Sequence, residues 1–207
     1  MSGEELILRL GGFILPPGKR FTGDPGFGLN AHTRPVYKEI FNYMVGHDTD
    51  HVNKKKGLMF CGPVGSGKTI AIKVMQQWAI HVNGFKDRTI CLISTDEYLK
   101  TYMEDPVAAL ELYGYNKKME LCLDELGWEA AMKNYYGNDT SVIISNLILQ
   151  RHRLFIETGI RTHFTTNLFI KNDAEPIDMS VLYGPRICDR LKEMTSVINW
   201  EGGSQRI

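Results

Sequence analysis

The sequence GPVGSGKT at residues 62–69 constrains the fold of this chain more than any other stretch. Its glycines allow the backbone to curl so that successive N–H groups point inward, and such a loop binds phosphate oxygens. Gly62, Gly67, Lys68 and Thr69 fulfil the pattern G-x-x-x-x-G-K-[ST]. In that pattern the lysine contacts the β- and γ-phosphates and the hydroxyl coordinates Mg²⁺. The loop, called the P-loop below, therefore predicts a nucleoside triphosphate site.

The residues on either side supply the strand and the helix that a P-loop requires. The apolar run at 57–61 (GLMFC) predicts a short buried strand, and Ile70, Val74 and Trp78, spaced four apart, predict an amphipathic helix that ends near 83–84. The alternative is a Gly-rich turn that carries a lysine by chance, and this context argues against it. We expect the nucleotide to contact Gly62, Pro63, Val64, Gly65, Ser66, Gly67, Lys68, Thr69 and Ile70.

Length and composition are those of one soluble α/β domain. The chain has 207 residues, 43% of them hydrophobic, and its 24 basic and 24 acidic residues balance. Bulk charge therefore does not indicate nucleic acid, and any DNA contact would come from a local patch or from several subunits together. No apolar run approaches the ~20 residues of a membrane span. The acidic N-terminus is unlike a signal peptide, and the cysteines fit free thiols, so we expect a cytoplasmic protein.

Four further predicted strands, of which the stretch at 89–93 is a continuous apolar run, alternate with helical patterns along the chain. The predicted strands lie at 89–93, 119–123, 162–166 and 196–200, and the helical patterns lie at 33–44, 95–115 with a break at Pro106, 139–159 and 180–194. This alternation predicts a five-stranded parallel sheet between helices. Residues 1–31 are rich in Gly and Pro and are expected to form an arm or linker, followed by a single domain at 32–207.

An acidic pair follows the third predicted strand. Asp124 and Glu125 come directly after the run at 119–123, and ligands of open α/β sheets bind outside the carboxyl ends of the strands. We expect Asp124 to hold Mg²⁺ together with Thr69, and Glu125 to deprotonate the attacking water. A solvated acidic turn is the alternative. Small-molecule kinases need no water-activating carboxylate, so Glu125 favours hydrolysis.

Polar side chains near two other predicted elements complete the pattern. Asn167 follows the run at 162–166, where its amide can hydrogen-bond the γ-phosphate or the attacking water; a turn-forming Asn is the alternative. Arg186 and Arg190 leave one face of the helix predicted near the C-terminus. An arginine delivered to a neighbouring subunit would stabilise transition-state charge, while ordinary surface ion pairs explain the same spacing equally well.

The series GPVGSGKT, LCLDELG, TTNL, GPRICDRLKEM and a terminal W-x-x-G-S-x-R resembles the AAA+ ATPases of the DnaC/IstB type. These are bacterial and phage helicase loaders and transposition helpers, and the resemblance covers about residues 32–206. It implies an ASCE-type P-loop fold without a C-terminal lid, in which the sensor strand lies between the P-loop strand and the acidic strand. It also implies ATP sites shared between subunits. By position Asn167 matches sensor 1, Arg190 the arginine finger with Arg186 as second candidate, and Arg206 a sensor 2-like arginine that contacts nucleotide.

The resemblance implies a Mg²⁺-dependent ATPase, and a replicative-helicase loader that works as an ATP-dependent homo-oligomer on single-stranded DNA is the leading hypothesis. A transposition helper with a transposase as partner is the nearest alternative. An ATP-switched clamp with negligible hydrolysis comes from another class, and a small-molecule kinase ranks last. Such loaders carry extra helices facing DNA where residues 95–115 lie, and Tyr98, Lys100 and Tyr102 are candidates there, although core packing better explains the aromatic residues.

Overall fold

The structure is a computed structural model and is described for residues 28–83, 89–117, 119–129, 139–168 and 179–200. Its strands are β1 (Gly57–Cys61), β2 (Ile90–Ser94), β3 (Glu120–Leu126), β4 (Thr162–Thr166) and β5 (Thr195–Asn199). Its helices are α1 (Thr33–Met44), α2 (Lys68–Asn83), α3 (Thr95–Glu104), α4 (Pro106–Ala109), α5 (Thr140–Thr158), α6 (Met179–Tyr183) and α7 (Pro185–Met194), with a π-helical turn at Leu110–Gly114.

The strands form one parallel sheet in the order β2-β3-β4-β1-β5. Strand β4 lies between β1 and β3, which confirms the order that the resemblance implied. Parallel strands end at the same edge of a sheet, so the P-loop after β1, the acidic pair of β3 and the residues after β4 are adjacent. The predicted five-stranded parallel sheet between helices is therefore confirmed.

Helices cover both faces of the sheet, and a separate hydrophobic core lies under each face. Leu58 and Phe60 point from β1 into the core formed with α1 and α2. Met59 and Cys61 point into the opposite core, which contains side chains of α3 to α7. Because both faces are covered, every residue of β1 is buried.

Local signals placed most helix boundaries correctly. The Asp139 side chain accepts a hydrogen bond from the Ser141 N–H at the start of α5, and Gly159 ends that helix with φ 70°. The main difference concerns β3, which continues beyond the predicted run at 119–123 to Leu126 and so includes the acidic pair. Membrane-spanning length and apolar character are not found together in any helix of the described residues.

Arg151 lies on the inward face of α5 and has no solvent exposure. Its Nε donates to the Thr162 hydroxyl at 2.8 Å, and its terminal nitrogens donate to the carbonyls of Tyr113, Met119 and Arg161 at 3.3, 3.5 and 3.0 Å. A buried guanidinium needs such partners, because desolvation disfavours the charge. Arg151 thereby ties the π-helical turn to the amino ends of β3 and β4.

The aromatic residues of α3 pack inward, as the core interpretation of residues 95–115 predicted. Tyr98 is fully buried, and its ring packs against those of Tyr102 and Tyr113. Lys100 is exposed and pairs with Asp96 at 2.6 Å. Tyr98 is therefore a core residue and is not available to bind DNA.

A buried histidine lies among charged groups at the amino edge of the sheet. The Leu58 N–H donates to His163 Nδ1 at 3.1 Å, so the imidazole is neutral with its proton on Nε2, which lies 3.3 Å from a Glu120 oxygen. Glu120 also pairs with Arg161 at 2.8 Å. Burial lowers the pKa of His163, although the Glu120 carboxylate opposes that shift.

This histidine predicts a pH-dependent stability. Below its ordinary pKa of 6.5 the unfolded chain takes up a proton that the folded state does not, so the unfolding free energy falls as the pH is lowered. Between about pH 7.5 and about pH 5.5 we expect the His163 contribution to fall by about 1 kcal/mol. Urea unfolding of the wild type and of His163→Asn at both pH values measures this contribution. The asparagine amide can accept from the Leu58 N–H but does not titrate. Equal losses in the two proteins would contradict the prediction.

Candidate active site

The P-loop lysine contacts the residue that follows β4. Lys68 begins α2 and is 7% exposed. Its Nζ donates to the carbonyls of Gly62 and Pro63, both at 2.8 Å, and to Asn167 Oδ1 at 2.9 Å. A hydrogen bond between Lys68 and Asn167 therefore joins the P-loop directly to the residue that follows β4.

The hydroxyl of Thr69 and the carboxylate of Asp124 lie together. Thr69 Oγ1 is 3.1 and 3.0 Å from the two Asp124 oxygens, and the Thr165 hydroxyl donates to the same carboxylate. Hard cations such as Mg²⁺ take oxygen ligands of these kinds and use few protein groups when phosphates supply the rest. Thr69 and Asp124 therefore fit the role of a magnesium pair that the sequence predicted.

Glu125 lies in a strained turn at the end of β3. Its φ is 60°, and it is the one residue other than glycine with positive φ within the described ranges. The pairing of β3 with β4 shifts between Leu123 and Leu126, so the acidic pair forms a bulge in the ladder. A bulge of this kind re-aims side chains, and left-handed backbone at a residue other than glycine costs on the order of 1–3 kcal/mol. The Glu125 side chain is exposed at the carboxyl edge of the sheet.

Side chains bond the backbone on both sides of Glu125. The Asp124 carbonyl accepts from Thr95 at 2.9 Å, the Glu125 N–H donates to Thr165 Oγ1 at 2.9 Å, the Leu126 carbonyl accepts from Thr166 at 2.7 Å, and the Gly127 N–H donates to Glu129 at 2.9 Å. A strained backbone conformation persists where several surrounding contacts fix it independently. These four bonds meet that condition for Glu125.

Leu168, which directly follows Asn167, packs against the turn that carries Glu125. A β-carbon at Gly127 would lie 2.5 Å from Leu168 Cδ1, and the φ of Gly127 is 99°. The positive φ favours glycine at this position. The turn that carries Glu125 and the segment that carries Asn167 are therefore in contact.

Trp200 supports the P-loop from beneath. The backbone N–H of Trp200 donates to the Cys61 carbonyl at 2.6 Å. A β-carbon at Gly62 would lie 2.8 Å from Trp200 Cβ, and a β-carbon at Gly67 would lie 3.4 Å from the Trp200 ring. The ring is 3% exposed and meets Tyr37 of α1 edge-on, with centroids 5.8 Å apart. The residue that directly follows β5 therefore contributes to the shape of the P-loop.

The two candidate arginines lie on α7, which packs in the core on the sheet face opposite α2. Arg186 is exposed, and Arg190 pairs with Glu193 at 3.1 Å, with 37% of the Arg190 side chain accessible. Within the described residues no hydrogen bond or ion pair joins either arginine to the P-loop of its own chain. Arg206 lies outside the described residues.

Several supporting residues were not identified from the sequence. Thr165 and Thr166 adjoin Asn167, and polar residues at the end of a buried strand are a signal from which a supporting role could be predicted. Thr95, Glu129 and Trp200 gave no such signal, because their partners lie on other elements.

Comparison with known proteins places this arrangement in a fold family. No protein-family model matches the chain, and no curated protein matches it. The crystal structure of DnaI matches with a TM-score of 0.60 at 17% identity, over 93% of this chain and 92% of that chain. The crystal structure of the DnaC helicase loader matches with a TM-score of 0.60 at 19% identity, over 86% of this chain and 95% of that chain. The fold is that of a DnaC-type AAA+ domain.

The replication initiator DnaA shares this AAA+ fold over a smaller part of its length. Its structure bound to AMPPCP and single-stranded DNA matches with a TM-score of 0.54 at 14% identity, over 86% of this chain and 49% of that chain. In the chain described here, the P-loop, Asp124, Glu125 and Asn167 lie at one edge of the sheet, while Arg186 and Arg190 lie on α7.

Proposed function

We propose that this chain is a Mg²⁺-dependent ATPase that assembles on DNA and loads a replicative helicase. The observation that carries the proposal is the pair of contacts Lys68–Asn167 and Thr69–Asp124 at the carboxyl edge of the sheet. These contacts bring the phosphate-binding loop, a hard-cation pair and a sensor amide together beside Glu125.

Each residue has a distinct role in the proposed reaction. The P-loop N–H groups and Lys68 bind the phosphates, and Thr69 and Asp124 hold Mg²⁺, which would neutralise phosphate charge when bound. Glu125 takes the proton of the attacking water, and Asn167 orients that water or the γ-phosphate. The bonded turn fixes the backbone of Glu125 at the carboxyl edge of the sheet, which limits the reorganisation needed to bring its carboxylate to the attacking water.

The arginine positions favour a site shared between subunits. Transition-state charge on the transferred phosphoryl group calls for a further cation. Arg186 and Arg190 are accessible and make no contact with their own P-loop among the described residues. We therefore propose that one of them, Arg190 first, acts on the nucleotide of a neighbouring subunit.

The choice of partner rests on the proteins that share the fold. DnaC is named as a helicase loader, and DnaA was solved with an ATP analogue and single-stranded DNA. By analogy we propose ATP as the nucleotide, single-stranded DNA as the nucleic acid and a replicative helicase as the protein partner. Co-purification with a transposase instead of a helicase would favour the transposition-helper alternative.

ATP turnover per subunit is expected to rise with protein concentration, and to rise further when single-stranded DNA is added, because each active site needs a neighbour. The measurement is phosphate release over about a hundredfold range of concentration, with and without an oligonucleotide. The Lys68→Ala variant, purified in parallel, controls for contaminating ATPases. Constant specific activity that ignores DNA would indicate a site complete in one subunit and would contradict the oligomeric proposal.

A further inference from the structure

Glu129 is a fully buried carboxyl group that the proposed reaction does not use. It lies four residues after Glu125 and is 0% exposed. One carboxylate oxygen accepts from the Gly127 N–H at 2.9 Å, the other accepts from the Tyr183 hydroxyl, and its carbonyl accepts from the Thr140 hydroxyl at 3.1 Å. A buried carboxyl group without partners would be strongly disfavoured, so these bonds are a condition for its presence.

The partners of Glu129 lie on three different parts of the fold. Gly127 belongs to the turn that carries Glu125, Thr140 begins α5, and Tyr183 ends α6, where it is 7% exposed. Burial raises the pKa of Glu129 to about 7. A buried group held by donors from separate elements is expected to fix their relative positions, because leaving any one contact unmade carries a desolvation cost.

We propose that Glu129 is a positioning residue for Glu125, and that its carboxylate anchors the Glu125 turn to Tyr183. The inference rests on the proposed ATPase function, since it gives Glu129 a task only if Glu125 acts on a water. The other three bonds to this backbone come from β4 and from the first residue of α3. Of these four bonds, only that of Glu129 reaches Gly127, at the end of the turn.

The same anchor lies next to the arginine helix. Tyr183 is followed by Gly184, and α7 begins at Pro185, one residue before Arg186. A displacement of the Glu125 turn would therefore be transmitted through Tyr183 to the helix that carries both candidate arginines. In the proposed oligomer this contact would link the site of one subunit to the arginine that it presents to the next.

Removing the Tyr183 hydroxyl tests the contact with little change in volume. We expect Tyr183→Phe to lower kcat about tenfold or more while KM for ATP stays within about twofold, because a misplaced base affects the chemical step and not binding. Glu129→Leu, which removes both carboxylate oxygens, should lower kcat at least as far, and the double variant should fall no further than Glu129→Leu, because both substitutions remove the Glu129–Tyr183 bond. The matched control is Tyr98→Phe, since the Tyr98 hydroxyl is buried and has no hydrogen-bond partner among the described residues.

Amide hydrogen exchange of the peptide over 121–129 gives a readout that does not depend on turnover. Exchange at the turn should rise about fivefold or more in Tyr183→Phe and in Glu129→Leu, and should stay at the wild-type rate in Tyr98→Phe. Unchanged exchange in a folded Tyr183→Phe, or a loss of kcat equal to that of Tyr98→Phe, would overturn the inference. Wild-type protein without ATP turnover would overturn the proposed function instead, and raised exchange would still support the anchoring contact.

Discussion

Glu125→Gln is expected to bind ATP as tightly as the wild type and to lose about a hundredfold or more in turnover. The amide has almost the same size as the carboxylate, so the strained turn and its four backbone bonds should remain. What the substitution removes is the group that accepts a proton from the attacking water. The variant should therefore accumulate with ATP bound and uncleaved.

Two measurements separate this expectation from a loss of structure. Isothermal titration calorimetry gives the affinity for ATP, and phosphate release gives turnover on the same preparation. Glu157→Gln makes the same chemical change at an exposed glutamate of α5 and should leave both quantities unchanged. A Glu125→Gln variant that hydrolyses ATP at the wild-type rate would remove Glu125 from the mechanism.

Arg190→Ala is expected to keep its affinity for ATP and to lose about a thousandfold in turnover. The ion pair of Arg190 with Glu193 does not oppose a role in a neighbouring site, because exposed pairs of this kind contribute little to stability. Releasing the Glu193 carboxylate to contact the triphosphate of a neighbouring subunit therefore costs Arg190 little free energy. Arg153→Ala, at an exposed arginine of α5, is the matched control.

Mixing two inactive variants tests whether the arginine acts between subunits. Lys68→Ala removes the cation that contacts phosphate in the ground and transition states, so it should bind ATP poorly but still offer its Arg190. A mixture of Lys68→Ala with Arg190→Ala should recover part of the lost turnover, because some interfaces then combine an intact P-loop with an intact arginine. No recovery would count against a shared site. If Arg186→Ala loses turnover and recovers it on mixing with Lys68→Ala, while Arg190→Ala does neither, the role belongs to Arg186.

Most of the fold follows from local patterns in the sequence. Five short stretches between helical patterns predicted the strands, and those at 57–61 and 162–166 match β1 and β4 residue for residue. Asp139 and Gly159 predicted the ends of α5, because capping and left-handed backbone depend on adjacent residues. Burial on both faces gives β1 a continuous apolar run, which makes that strand easy to recognise, whereas β4 is equally buried but rich in threonine.

The support of the site depends on contacts that local patterns do not contain. Glutamate seldom adopts positive φ, so the conformation of Glu125 had no signal in its own residue type. Thr165 is 40 residues from Glu125 in sequence, and Tyr183 is 54 residues from Glu129. These pairs meet only because β4 lies beside β3 and because α6 packs in the same core as the end of β3. The type of each candidate residue could therefore be predicted, while what holds it in place could not.

The position of Trp200 gives the phosphate-binding loop a native optical reporter. Its ring is 3% exposed and lies against Gly67, whereas Trp128 is 51% exposed beside the Glu125 turn. A soluble quencher should therefore silence Trp128 and spare the emission of Trp200, once the third tryptophan, the partly buried Trp78 of α2, is replaced by phenylalanine. The indole that shapes the loop would then signal any movement of that loop in the unlabelled protein.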